Sequence, residues 1–259
     1  LDVLVDAYRN TPSDHWGTPG DADAIGKPRQ YREKVEQLIA LIPEATQRDA
    51  PRILDIGCFH GDFLAAFPDH WDKHGVELSR GAASVARGRG ISVHEGDVFS
   101  VDLPEGHFDL ILACDVIEHL EEQHVFASLI RRWLKPGGIA VIETGGADSW
   151  LARVMGSRWY YLSIVEHVCA HTAESLDRLM EAQGLMPALR ERRWHRLPPS
   201  WKQPAYRVAR ALAFRLGTAG LERLSSICAL PPVARGLVER HSPWHATRDH
   251  LFHAYRLEV

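Results

Sequence analysis

The chain has 259 residues, 45% of them hydrophobic and 25% charged, enough for one α/β unit with a sizeable insertion and a core that size does not limit. A formal net charge of -4 excludes a broadly basic surface, so nucleic acid is not expected as a partner. No apolar run approaches the roughly 20 residues that span a bilayer, and the four cysteines (Cys58, Cys114, Cys169, Cys228) form no C-x-x-C pair, which points to reduced thiols and a cytoplasmic location.

The first 25 residues are polar and rich in turn formers. From Tyr31 to Ile42 a helical period appears, with Val35, Leu38, Ile39 and Ile42 on one face and Pro43 ending it. After Pro51 the chain alternates. Strands are predicted at 52–56, 73–78, 91–94, 108–113 and 138–143, and helices at 61–67, 80–88, 121–134 and 173–183. Lys135-Pro136-Gly137-Gly138 reads as the turn between the last of those strands and the helix before it. Such alternation implies a mostly parallel sheet covered by helices on both faces. Leu189 to Trp194 is read as a sixth strand and Leu251 to Leu257 as a seventh, separated by three helix-like pieces that are too long for a loop. The organisation expected is an N-terminal helical segment (1–48), a core (49–194), a helical cap or insertion (195–248) and a final strand returned to the core (249–259).

Chemistry concentrates at the predicted strand ends. Arg52 to Leu64 (R-I-L-D-I-G-C-F-H-G-D-F-L) is a buried strand turning sharply into a helix, with Asp55, Gly57, Cys58, Phe59 and Gly61 at the turn. Glu77, followed by Leu78, ends the second strand twenty residues after Gly57, where an acid can accept both hydroxyls of a ribose. Asp97 and Val98 follow the third strand in Glu95-Gly96-Asp97-Val98. The fourth strand runs from Phe108 into Cys114-Asp115-Val116-Ile117-Glu118-His119-Leu120, and Leu134-Lys135-Pro136-Gly137-Gly138 follows it.

Taken in order, these segments resemble the class I S-adenosylmethionine (SAM)-dependent methyltransferases, over roughly residues 50–190. The run Ser163 to Val168 with His171-Thr172 and Ser175-Leu176 is similar to small-molecule O-methyltransferases of the ubiquinone-biosynthesis type. The resemblance implies a Rossmann-like seven-stranded sheet, its sixth strand parallel and its seventh antiparallel to the rest, with the insertion over the active site. It implies SAM as cofactor and S-adenosylhomocysteine as product, held by Asp55, Gly57, Cys58, Phe59, Gly61, Glu77, Leu78, Asp97, Val98, Cys114 and Asp115. Asp97 would face the adenine amino group and Val98 would pack on the ring. One departure sits in the first motif, where Phe59 replaces a glycine. If that position needs a positive φ, Phe59 is strained; otherwise it lines the methionine end of the pocket.

A hydroxyl acceptor also needs a base near neutral pH, and His119 and His167 are the candidates, with His171 behind them among fifteen histidines. Asp115, Glu118 and His119 resemble a magnesium-binding cluster of some relatives, but hard cations prefer oxygen ligands and no divalent metal is expected. The competing role for Glu118 is capping the next helix. The expected function is methyl transfer to a hydroxyl of a small aromatic, glycosidic or lipid-linked molecule. The alternatives are N- or C-methylation, or a SAM-binding module without catalysis. A nicotinamide dehydrogenase is disfavoured because G-x-x-x-G is not G-x-G-x-x-G. A nucleic-acid amino-methyltransferase would carry [DN]-P-P-[YFW] where this chain has Asp115-Val116-Ile117-Glu118. Trp150, Trp159, Tyr160, Tyr161, Trp194, Trp201, Tyr206 and Trp244 could build an acceptor lid or simply hold a cap together. Arg207, Arg210 and Arg215 on one helix read as a solvated face rather than a membrane-surface contact.

Overall fold

The computed structural model describes residues 27–46, 49–193 and 249–258. Within them a seven-stranded sheet has the order β3-β2-β1-β4-β5-β7-β6. Its strands are β1 (Arg52–Ile56), β2 (Asp72–Glu77), β3 (Ser92–Glu95), β4 (Phe108–Cys114), β5 (Leu134–Gly145), β6 (Leu185–Arg193) and β7 (His250–Leu257). Strands β1 to β5 pair in parallel, whereas β7 pairs antiparallel with both β5 and β6. The expected direction of the last two strands is thus the one observed. From β1 the chain moves outward to β2 and β3, then crosses back to β4 on the other side of β1. The strand order therefore reverses between the carboxyl ends of β1 and β4, where a crevice forms in open sheets of this kind.

Alternation along each strand divides the core in two. Leu54, Ile56, Ile111 and Ile142 face helices α5 (Gln123–Trp133) and α6 (Ala173–Glu181), which contribute Phe126, Ile130, Trp133, Leu176 and Met180. Ile53, Leu110, Leu112, Val141 and Phe252 face the opposite layer, made by α1 (Lys27–Ala40), α3 (Asp62–Ala65) and α4 (Arg80–Gly88), with the short α2 (Pro43–Thr46) following α1. Helix α1 is part of this core rather than an appendage. Val35 and Leu38 pack into it, and Lys34 reaches the buried Glu143 on β5 at 2.5 Å, its own side chain only 12% exposed.

Two strands are longer than the sequence suggests. β5 begins at Leu134, which pairs with Phe108 before the ladder shifts by a bulge, so the Lys135 to Gly138 turn lies inside the strand. β6 begins at Leu185, and its register shift between Pro187 and Leu189 lets a proline sit in a strand. Arg193 ends β6 opposite His250, the first residue of β7, so the chain leaves and re-enters the sheet beside Gly145 at the carboxyl end of β5. The proposed cap at 195–248, with Trp194, Trp201, Tyr206, Trp244 and the Arg207 helix, lies outside the described residues. Among the described residues no helix is long and apolar enough to cross a membrane.

Candidate active site

The turn after β1 is built from two glycines at positive φ. Gly57 has φ +75°, and a Cβ there would lie 2.8 Å from Val116 Cγ2; Gly61 has φ +76°, and a Cβ there would lie 2.2 Å from Ile91 Cδ1. A side chain at either position would collide with Val116, just past β4, or with Ile91, between α4 and β3. Phe59 between them also has a positive φ, +48°, so the strained alternative is the one observed. Its ring stacks on His60 at 3.8 Å, and Cys58 is buried.

Glu77 ties this turn to the end of β2. Its Oε2 accepts the Phe59 backbone N–H and its Oε1 accepts the Ser79 N–H, each at 2.8 Å. A carboxylate has about four acceptor sites, so these two bonds orient Glu77 without exhausting it. Burial raises its pKa against the pull of those backbone donors. Asp55, one pleat back on β1, is buried and pushed up to about 8, chiefly by desolvation and then by the charge of Glu77. Leu78 is half-buried beside them. After β3, Asp97 Oδ1 accepts the Phe99 N–H at 2.8 Å in a tight turn, and Val98 is in the core. Cys114 ends β4 half-buried, and Asp115 follows it at φ +54° with its N–H on Glu143 O at 2.8 Å. The residues expected to surround the nucleoside and the methionine therefore lie along the carboxyl ends of β1, β2, β3 and β4.

On the other side of Asp115 the chain forms a short 3-10 turn, Ile117–His119. His119 and His167 meet there with ring centroids 4.8 Å apart, edge to face. His119 Nδ1 lies 3.0 Å from Glu166 O, and His167 Nδ1 lies 2.9 Å from Tyr161 O. A carbonyl oxygen can only accept, so each Nδ1 carries the proton and each Nε2 the lone pair. Burial lowers both pKa values, and His119 lowers that of His167 further. Both rings are consequently neutral near pH 7. His171 is apart from them: it is buried against Cys169 and Ser175, next to the bridge its residue makes with Gly146.

Glu118 does not cap α5. It is fully buried; Oε1 accepts the Tyr161 hydroxyl, and Oε2 accepts Thr144 Oγ1–H at 3.0 Å. Its main-chain oxygen accepts Val168 N–H at 2.9 Å and Cys169 N–H at 3.3 Å. Glu118 thus nails the loop carrying His167 against β5. Tyr161 stacks on Trp159 at 4.9 Å, and both are buried in a small cluster with Leu151 and Ala152. These two aromatics hold the loop together rather than line an acceptor lid. Exposed apolar side chains on the same loop are instead Leu162, Val165 and Val168.

The set Asp115, Glu118 and His119 is not what the fold gathers. Among the described residues, the three ligand-type atoms that come within 4.8 Å of one another are those of Glu118, His119 and His167. Two imidazoles and a carboxylate already bonded to two hydroxyls do not suit magnesium. Asp115 turns instead toward His250, whose Nε2 is 3.5 Å from Asp115 Oδ1. Thr144, Asp249 and His250 were not singled out in the sequence, and Tyr161 only as one of the loop aromatics. No local pattern marks them, because each acts on a residue distant in the chain.

The methyltransferase domain model matches residues 28–187. Among curated relatives, malonyl-[acyl-carrier protein] O-methyltransferase of Halalkalibacterium halodurans is 30% identical over 135 residues, covering 46% of this chain and 49% of that protein. Phosphoethanolamine N-methyltransferase of Triticum aestivum is 26% identical over 157 residues, covering 55% of this chain and 29% of that protein. The chain thus spans half or less of the length of these two relatives. Among solved structures, Haemonchus contortus phosphoethanolamine N-methyltransferase 2 in complex with SAM superposes with a TM-score of 0.56 at 22% identity, covering 86% of this chain and 53% of that one. An S-adenosylmethionine-dependent methyltransferase from Mesorhizobium loti superposes with a TM-score of 0.53 at 18% identity, covering 85% and 96%. At these identities the likeness is one of fold.

Proposed function

Because the chain belongs to the methyltransferase domain family, we propose that it transfers a methyl group from SAM to a hydroxyl of a small molecule. SAM supplies an electrophilic methyl on a sulfonium, and S-adenosylhomocysteine is what remains. Gly57 and Gly61 let the backbone approach the cofactor, Glu77 accepts the ribose hydroxyls, and Asp97 with Val98 takes the adenine. Asp55, Cys58, Phe59, Leu78, Cys114 and Asp115 complete the wall. Aligning donor and acceptor can supply about 7–11 kcal/mol, so positioning carries most of the catalysis.

The observation that carries the hydroxyl reading is the state of His167. Its Nδ1–H is committed to Tyr161 O and its pKa is depressed, which makes Nε2 a base at neutral pH. We assign it the proton of the acceptor hydroxyl, with His119 packed on its edge. A neutral amine needs no such base before attack. Leu162, Val165 and Val168 would receive the apolar body of an aromatic, glycosidic or lipid-linked acceptor. No nucleic-acid partner is part of this reading. Incubation with methyl-labelled SAM and matched phenol, alcohol and amine panels tests it. Methyl ethers are the expected products; labelled amines alone would overturn the choice of acceptor atom, and failure to bind SAM would overturn the function.

A further inference from the structure

The antiparallel strand β7 brings a buried histidine to the same strand ends. His250 opens β7, paired with Gly145 on one side and Arg193 on the other, and is 1% exposed. Its Nε2 lies 3.5 Å from Asp115 Oδ1 and its Nδ1 lies 3.2 Å from Asp249 Oδ1. The Tyr161 ring meets it edge-on at 5.7 Å. Asp249 is itself 1% exposed, and its main-chain oxygen accepts the Gly146 N–H at 2.7 Å, which fixes it to the end of β5.

Asp115 is the member of this group that needs holding. It adopts φ +54° without being glycine, a conformation that costs on the order of 1 kcal/mol and persists where its surroundings over-determine it. Its N–H is fixed to Glu143 O, and the His250 ring lies within ion-pair distance of its carboxylate, Nε2 3.5 Å from Oδ1. We propose that His250 is a positioning residue for methyl transfer: its imidazole clasps Asp115 and Asp249 and holds the end of β4 in the conformation that faces the cofactor. The proposal rests on the reading of Asp115 as part of the SAM site.

Physical chemistry favours the clasp. Two carboxylates flanking one buried ring repel each other unless a positive charge lies between them. Burial alone pulls the imidazole pKa down, but Asp115 and Asp249 outweigh it and hold the ring up to about 10. The charged groups facing the ring are Asp115 from the end of β4 and Asp249 from the residue just before β7, with the Tyr161 hydroxyl engaged by Glu118. On β6, Arg192 Nη2 bonds Asp148 at 2.6 Å, and its Nη1 lies beside Gly146.

A double-mutant cycle on the full chain tests this, with SAM affinity read by calorimetry and steady-state constants measured alongside. H250Q and D115N should each raise the SAM Kd and KM about tenfold. Because both remove the same contact, the double variant should be no weaker than the weaker single one. Additive effects, or a D115N effect with none from H250Q, overturn the role of His250. An unchanged Kd in D115N overturns the placement of Asp115 and the clasp with it. Should H250Q fail to fold, the histidine ring shifts of the unaltered protein still decide. An imidazolium at about pH 8 whose shifts move on SAM saturation is expected; a neutral ring, or one indifferent to SAM, overturns the clasp.

Discussion

The Phe59 backbone N–H donates to Glu77 Oε2 at 2.8 Å, so the residue with a strained backbone in the first turn is the one that the end of β2 holds in place. Phe59→Gly removes strain of about 1–2 kcal/mol but returns about 0.4–1 kcal/mol of freedom to the unfolded chain and loses the stack on His60. These effects nearly cancel, and the melting temperature should move by no more than about 3 °C. Phe59→Val keeps the N–H and puts a β-branched side chain where positive φ is least tolerated. It should cost about 1–2 kcal/mol, read as a lower melting temperature and weaker SAM binding. A valine variant as stable as the glycine variant would mean that the turn carries no strain.

Replacing His167 with Gln should lower kcat by about 10²–10⁴-fold while SAM affinity is unchanged, because the ring is assigned to the acceptor proton and not to the cofactor. The pH profile gives a second reading. With its pKa depressed below the ordinary value of about 6.5, His167 stays a base through neutrality, so the acid limb of kcat should fall below that value. His119→Gln should cause a smaller loss and shift the limb upward, since His119 helps keep its neighbour neutral. A limb unmoved in the His119 variant would separate the two rings.

Much of the scaffold was legible because it is local. The Arg52–Ile56 strand and the Arg80–Gly88 helix fall where hydrophobic periodicity and turn residues put them. So do the glycines at 57 and 61, since only a positive φ and a close approach call for glycine there. What escaped was non-local. Pro187 broke the pattern of β6, and only pairing with β7 shows that a bulge accommodates it. The role of Glu118 could not be read from the motif around it. Its partners, Thr144 and Tyr161, lie 26 and 43 residues away in the chain. His250 was hidden in the same way, since its contact with Asp115 exists only once β7 inserts beside β5.

Lys34 and Glu143 offer a test of how firmly α1 is docked. The Glu143 side chain is buried and that of Lys34 nearly so, and Lys34 also lies over the Phe252 ring at 5.2 Å. Lys34→Met strands the Glu143 carboxylate and should cost about 3–5 kcal/mol, whereas the pair Lys34→Met with Glu143→Leu should recover most of that loss. Chemical denaturation of the two variants beside the unaltered protein measures it. Equal losses in the single and double variants would show that packing, and not charge, holds α1 on the sheet.

Glu118 sets the pH dependence of the loop that carries His167. Burial, and then the charge of Asp115, push its pKa up to about 7, against the hydrogen bond from Tyr161, a backbone bond and the bond from Thr144. Its unfolded value is about 4.3, so between these values the folded protein holds a proton that the unfolded chain has lost. The stabilisation is therefore complete below about pH 4.3, falls as pH rises through about 7, and is level above that. Glu118→Gln keeps a neutral side chain of the same shape at every pH. The melting temperature of the unaltered protein minus that of the glutamine variant should therefore fall between about pH 5 and about pH 8. Taking the difference cancels the other titrating groups, which the two proteins share. A difference that rises over this range would mean that the Tyr161 and Thr144 hydroxyls stabilise the carboxylate more than burial penalises it, and that the loop is held by a charged Glu118 at neutral pH.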